Sequence, residues 1–264
     1  KPLDPNRLRL VGYEPIVRIV RSAMRHMGGV RLDHVMGLFR LFWIPRDKKP
    51  KDGVYVRYPA LDMLGIVALE SVRARAYVVG EDLGTVEDEV RRELAYRKMM
   101  SYRVLWFESG PPEGYPEQAL SAVTTHDLPT IAGLWSGSDI AEQRALELAP
   151  NESGTKALRK SLAKLTRAGA RASMEEISYR THVALARAPS RLLTPTLDDA
   201  LAVRERPNMP GTVDEYPCWC IPLPESLEQI QKNPLPARIA KVMSRRKKRR
   251  GSPLKGAAQA KRRR

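Results

Sequence analysis

Cysteine is nearly absent: Cys218 and Cys220 are the only two in 264 residues. Their C-x-C spacing is no disulfide framework, and in an extended segment both thiols would share one face. Long apolar runs are missing as well, and no leader-like segment opens the chain. Together these features read as a cytosolic protein with reduced thiols and no membrane association. The four histidines, His26, His34, His126 and His182, form no sequence cluster with the cysteines, which argues against a zinc site. Acidic residues are missing from 241–264, where twelve Lys or Arg stand alone. The formal charge of +16 is therefore mostly a tail, since the rest of the chain carries 34 basic against 30 acidic residues. Such a block reads as disordered and solvated, with salt-dependent, non-specific affinity for polyanions rather than a specific nucleic-acid function.

What is present is an ordinary globular composition, 42% hydrophobic and 29% charged, and a length that suits one large domain. Three stretches stand out: Gly29-Val30-Arg31-Leu32-Asp33-His34, Ala76-Tyr77-Val78-Val79-Gly80-Glu81-Asp82 and Ala122-Val123-Thr124-Thr125-His126-Asp127. In each, an apolar or β-branched run stops at an acid. Asp33, Glu81 and Asp127 are spaced by 48 and 46 residues, room for a helix and a return strand as in repeated βα units. Acids at the C-terminal ends of parallel barrel strands are placed for catalysis. A single one would read as a turn-forming cap; three in series, two flanked by histidine, point to an active site.

Between these stretches the chain alternates. Residues 1–13 read as a polar lead-in, and the spacing predicts a helix from Pro15 to about Gly28 with a core stripe of Ile16, Val17, Ile19, Val20, Ala23, Met24 and Met27. Gly37 to Trp43 is apolar, and Pro45 to Pro59 reads as a loop whose Tyr55 and Tyr58 either stack on sugar rings or anchor the loop. Helices are expected over 61–75, 86–100, 140–149, 156–168 and 174–187, the last holding His182 as a structural or surface residue. A helix over 227–243 should break near Pro234 and Pro236. Strands are expected at 76–81, 103–107, 121–125 and 190–197, besides the one ending at Asp33. This is an α/β chain with about five strands.

Arg31-Leu32-Asp33-His34-Val35-Met36-Gly37-Leu38-Phe39-Arg40, Val79-Gly80-Glu81-Asp82-Leu83-Gly84 and Thr125-His126-Asp127-Leu128-Pro129-Thr130 resemble the signature motifs of amylomaltases. These are the 4-α-glucanotransferases, or disproportionating enzymes, of the α-amylase clan. Tyr102 to Glu108 and Asn208-Met209-Pro210-Gly211-Thr212 resemble further family segments, so the likeness runs in order from about residue 10 to about 225. It implies a (β/α)8 TIM barrel in which the Asp33 strand is the fourth. Residues 1–243 would then be the C-terminal part of the catalytic domain, about strands four to eight, followed by a disordered basic tail at 244–264. A missing N-terminal half-barrel would be its partner, and α-1,4-glucans its substrate. No metal or organic cofactor is implied.

The resemblance also assigns roles. Asp33 matches the nucleophile, Glu81 the general acid/base, and Asp127 the third acid, which binds sugar hydroxyls and distorts the ring. His34 and His126 would donate hydrogen bonds to the same sugar, and Asn208 is a further substrate-contact candidate. Arg31, two residues before Asp33 on a strand, faces the same side and would keep Asp33 ionised. Glu81 should be the carboxyl whose environment raises its pKa, while Asp82 points to the other face as a structural acid. A retaining pair requires the carboxyl groups of Asp33 and Glu81 about 5–5.5 Å apart. The rival reading is a catalytically silent, truncated half-barrel that at most binds glucan.

Overall fold

A computed structural model describes residues 2–244. In chain order these form α1 (Pro5–Leu10), α2 (Glu14–Met24), β1 (Gly29–Leu32), β2 (Arg40–Trp43), β3 (Val54–Arg57), α3 (Ala60–Ala74), β4 (Tyr77–Gly80), α4 (Asp88–Tyr96), β5 (Ser101–Val104), β6 (Ala119–Ala122), α5 (Ile131–Ser136), α6 (Ser138–Ala145), α7 (Glu152–Thr166), α8 (Met174–Leu185), β7 (Leu192–Thr194), α9 (Leu197–Ala200), α10 (Leu227–Lys232) and α11 (Pro234–Ser244). The basic tail expected at 244–264 lies outside the described residues apart from Ser244, which ends α11.

Five strands form one parallel arc in chain order. β1 pairs with β4, and β5 with β6 and then β7, all parallel. β4 and β5 are joined where Gly80 N–H donates to the Met100 carbonyl (2.8 Å) and Met100 N–H to Val78 (2.9 Å). Just past that point the buried Asp82 side chain accepts from Tyr102 N–H (2.9 Å). A carboxylate thus stands in for a ladder carbonyl, and Arg91 and Arg103 lie 3.8 and 3.9 Å from its other oxygen. One face of the arc is concave: Arg31 of β1, Tyr102 of β5, Ala122 of β6 and Thr194 of β7 line a common cleft. Helices cover the convex face. One core packs α2, α3 and α4 against β1 and β4, around Met24, Leu64, Val67 and Val78. A larger one packs α5, α7, α8 and α11 against β5–β7, around Val104, Ile131, Leu162, Ile177 and Ile239.

Several expectations need correction. The lead-in contains α1, capped by the Asp4 side chain, which accepts from Asn6 and Arg7 N–H. The region read as an apolar stretch and a loop is an antiparallel hairpin, β2 with β3, in which Phe42 faces Tyr55. The stripe on α2 is narrower than expected: Val20 and Met24 are buried, but Ile19 and Met27 are more than 60% exposed. Of the two loop tyrosines, Tyr58 is an anchor, buried with its hydroxyl donating to the Leu3 carbonyl (2.6 Å). His182 is wholly buried, its Nδ1 2.8 Å from the Ser178 carbonyl, which removes the surface alternative. Cys218 and Cys220 do not sit in an extended segment. Trp219 between them has φ +62°, and the free thiols differ, Cys218 half-buried and Cys220 exposed. β5 and β6 begin about two residues earlier than their patterns suggested, and helices α1, α5 and α9 carried no expectation.

Candidate active site

Two of the three acids follow directly from a strand end, and the third sits in a loop. Asp33 comes one residue after β1, Glu81 one residue after β4, and Asp127 lies in the loop after β6. Because β1 and β4 run parallel with Leu32 opposite Gly80, both chains leave the sheet at the same level. Glu81 N–H donates to Leu32 (2.9 Å) and Val35 N–H to Glu81 (3.0 Å), extending the ladder beyond the strands. His34 takes a left-handed conformation, φ +45°, which turns the chain sharply after Asp33. Its freed backbone N–H donates to Glu81 Oε2 (2.8 Å), and Leu83 N–H donates to Oε1 (2.9 Å). Glu81 is therefore fixed at both oxygens.

Asp33, His34 and Glu81 each bring one donor atom to a group whose members lie within 4.8 Å of one another. Two carboxylates and an imidazole could in principle hold a cation. Here, however, the Arg31 guanidinium sits 2.7 Å from Asp33 Oδ1, and both Glu81 oxygens face N–H donors. A site already filled with positive and hydrogen-bonding partners suits a carboxyl pair better than a metal. Exposure separates the two acids: the Asp33 side chain is 61% exposed and that of Glu81 7%.

The other half of the site is a cluster of loops. His126 Nε2 lies 3.3 Å from Asp127 Oδ2, and Asn208 Nδ2 donates to Asp127 Oδ1 (2.5 Å). The Trp219 ring lies against His126 with centroids 5.0 Å apart and is two-thirds exposed. A cleft of about 350 Å³ joins the halves, with Arg31 on one side and His126, Thr125 and Trp219 on the other. Its floor is Tyr102, whose ring lies under the Arg31 guanidinium at 5.2 Å and whose hydroxyl pKa is raised chiefly by burial.

The seven residues expected from sequence fall into two groups, Arg31, Asp33, His34 and Glu81 in one and His126, Asp127 and Asn208 in the other, and each group gives one residue, Arg31 or His126, to the lining of a common cleft. Sequence reasoning missed Tyr102, Trp219 and Arg206. Tyr102 opens a segment of family likeness that assigned it no role, Trp219 shares a proline-rich loop with Tyr216, and Arg206 is one arginine among many.

An arc of a parallel α/β barrel with carboxyl groups at the C-terminal ends of its strands defines a class of enzyme-like folds with the site on that rim. The 4-alpha-glucanotransferase family model matches residues 1–228, and the chain belongs to that family. It is 43% identical over 243 residues to the 4-alpha-glucanotransferase of Mycobacterium tuberculosis, covering 84% of this chain and 34% of that protein. Against the enzyme of the same name from Haemophilus influenzae it is 34% identical over 255 residues, covering 88% and 36%. The crystal structure of amylomaltase from Corynebacterium glutamicum superposes with a TM-score of 0.83 at 36% identity, over 92% of this chain and 39% of that one. Amylomaltase from Streptococcus agalactiae, solved with acarbose, shares the fold at 16% identity with a TM-score of 0.68. The chain therefore spans about a third of the length of the curated relatives it matches, and the fold is part of a (β/α)8 barrel.

Proposed function

We propose that this chain supplies the carboxyl groups of a retaining 4-α-glucanotransferase that moves α-1,4-glucan segments between maltooligosaccharides. The observation that carries the reading is the approach of Asp33 and Glu81, with one oxygen of each within 4.8 Å. Retaining glycoside chemistry uses carboxyl groups about 5–5.5 Å apart, whereas inversion leaves room for a water between them. Asp33, open to solvent and aligned by Arg31, attacks the anomeric carbon. Glu81 protonates the departing glycosidic oxygen, and the bond to the leaving sugar breaks as the bond to Asp33 forms. Glu81, now ionised, then takes the proton of an acceptor 4-hydroxyl, whose oxygen displaces Asp33. Two inversions return the α-linkage. Asp127, held by Asn208 and beside His126, offers acceptor and donor groups to the hydroxyls of the same sugar, and the exposed Trp219 ring offers it an apolar face. The acarbose bound by the S. agalactiae amylomaltase is in keeping with a glucan as ligand. No step calls for a cofactor or metal.

The catalytic domain on this reading is residues 1–243, completed by an N-terminal half-barrel that pairs with the open sides of β1 and β7. Free thiols at Cys218 and Cys220 fit a reducing, cytosolic compartment, and among the described residues no helix is long and apolar enough to cross a membrane. The rival, a silent half-barrel, draws on the same open edges. Incubation with maltotriose separates the two. Transfer yields glucose together with maltodextrins longer than the substrate, hydrolysis yields glucose and maltose alone, and a silent protein leaves maltotriose intact even when an N-terminal half-barrel is supplied.

A further inference from the structure

Asp127 lies on a loop, yet the glycosidic chemistry proposed above needs it held to a fraction of an ångström. We propose that Arg206 is the positioning residue of that acid: a buried guanidinium, braced by Asp139, that holds the Asp127 backbone and, through its own loop, the Asn208 contact. This rests on the proposed function for its catalytic consequence but not for its geometry.

Arg206 is 6% exposed and Asp139, in the first turn of α6, 3%. Arg206 Nε donates to Asp139 Oδ1 (2.8 Å), and Nη2 donates to the same oxygen. The remaining nitrogen, Nη1, donates to the backbone carbonyl of Asp127 (2.9 Å). The guanidinium plane is thus shared between a fixed carboxylate on a helix and the peptide that carries the acid. A buried charge needs both a counter-charge and full hydrogen bonding, and here the second requirement is met by the site loop. The Arg206 carbonyl is fixed in turn by the buried Tyr216 hydroxyl (2.8 Å). Two residues on, Asn208 Nδ2 reaches Asp127 Oδ1 (2.5 Å), so the same loop grips Asp127 at its backbone and at its side chain. The Asp127 carboxylate itself makes no contact with Arg206, so Arg206 acts through geometry and not as a group that touches substrate.

Selective ¹⁵N-asparagine labelling tests this, because the chain has only four asparagines, Asn6, Asn151, Asn208 and Asn233. The Asn208 side-chain amide, assigned with Asn208→Ala, reports its bond to Asp127. In Arg206→Met that signal should move or broaden while Asn6, Asn151 and Asn233 stay in place, and Arg206→Lys and Asp139→Asn should move it less. In an enzyme completed by an N-terminal half-barrel, turnover of maltotriose should fall by about 10²-fold in kcat in Arg206→Met with KM little changed, as for a misplaced catalytic group, and Arg206→Lys should recover part of it. An unmoved Asn208 signal with wild-type turnover in folded Arg206→Met overturns the proposal. So does collapse of all four signals in all three variants, which would make Arg206 a general fold-holding residue. A wild type without turnover even when an N-terminal half-barrel is supplied, whose Asn208 signal still responds to the variants, defeats the proposed function and leaves the positioning intact.

Discussion

Two buried side chains that no part of the glycosidic chemistry uses, His182 and Asp199, set opposing dependences on pH. His182 is enclosed in α8, and burial pushes its pKa down to about 4. Asp199 accepts from Ile131 N–H through one oxygen (2.8 Å), its other oxygen is buried, and burial pushes it up to about 6. As pH falls from about 6.5 toward 4, the unfolded chain binds a proton at His182 that the fold refuses, so stability is lost. As pH falls from about 6 toward 3.8, the fold holds a proton at Asp199 that the unfolded chain lacks, so stability is gained. Each slope is about 1.4 kcal/mol per pH unit, and between pH 6 and 4 they cancel. Urea midpoints measured across that range should therefore separate the variants. His182→Gln should gain stability relative to wild type on acidification and Asp199→Asn should lose it; parallel profiles would show that neither group is perturbed. At the same scale, in a complete enzyme carrying this half, Glu81→Gln should lower maltotriose turnover by about 10²–10⁴-fold, the usual contribution of a general acid/base, with an unchanged melting temperature. Near-normal turnover in that variant would remove Glu81 from its role.

At the scale of elements, the loop bearing His126 and Asp127 is tied down by α5. The Thr130 hydroxyl caps this short helix by accepting from Gly133 N–H (3.0 Å) and also donates to the Val203 carbonyl (2.7 Å). Gly133 lets the 203–206 segment pass close by: a Cβ there would lie 2.4 Å from the Arg204 carbonyl oxygen. In an isolated helix Gly133→Ala would gain about 1 kcal/mol. Here overpacking of about 1–3 kcal/mol outweighs that gain, so the variant should melt earlier and bind glucan less well, as calorimetry and maltotriose titration would report. A higher melting temperature would mean that the Arg204 backbone yields freely. The hairpin β2–β3 makes a similar use of glycine, since a Cβ on Gly53 would sit 2.5 Å from the Phe42 ring.

For the whole molecule, among the described residues the arc leaves β1 paired only with β4 and β7 only with β6. Open edges invite pairing with another chain. The α2–α3 surface adds Ile19, Leu69 and Val72, each about half or more exposed. Residues 1–264 alone should therefore associate in a concentration-dependent way and show little or no transferase activity. Sedimentation velocity tests this, and Ile19→Lys with Val72→Lys should reduce the association without lowering the melting temperature, since exposed substitutions cost within about 0.5 kcal/mol. A monomer at all concentrations, with a sharp melt and full maltotriose disproportionation, would mean that the arc is self-sufficient.

By itself the sequence determined the alternation of strands and helices, the family, and the position of Asp33 and Glu81 at strand ends, because those features are local: apolar runs, cap residues and short motifs. Asp127 instead lies five residues past the end of β6. Asp33 and Glu81 could be named before any fold was known, since each ends its own strand. Only the tertiary structure decided that the two oxygens approach within 4.8 Å, because that depends on β1 and β4 being neighbours in parallel register. Periodicity placed β5 and β6 about two residues late because Leu105, Trp106 and Val123 are buried as strand residues would be, although they lie past the strand ends. It missed the hairpin because its second strand follows a stretch rich in Lys, Asp and Gly. Arg206 was out of reach, since what distinguishes it from the chain's other arginines is a carboxylate 67 residues away and a carbonyl 79 residues away. Such contacts leave no trace in composition or spacing, because side-chain partners are chosen by packing after the backbone has brought distant loops together.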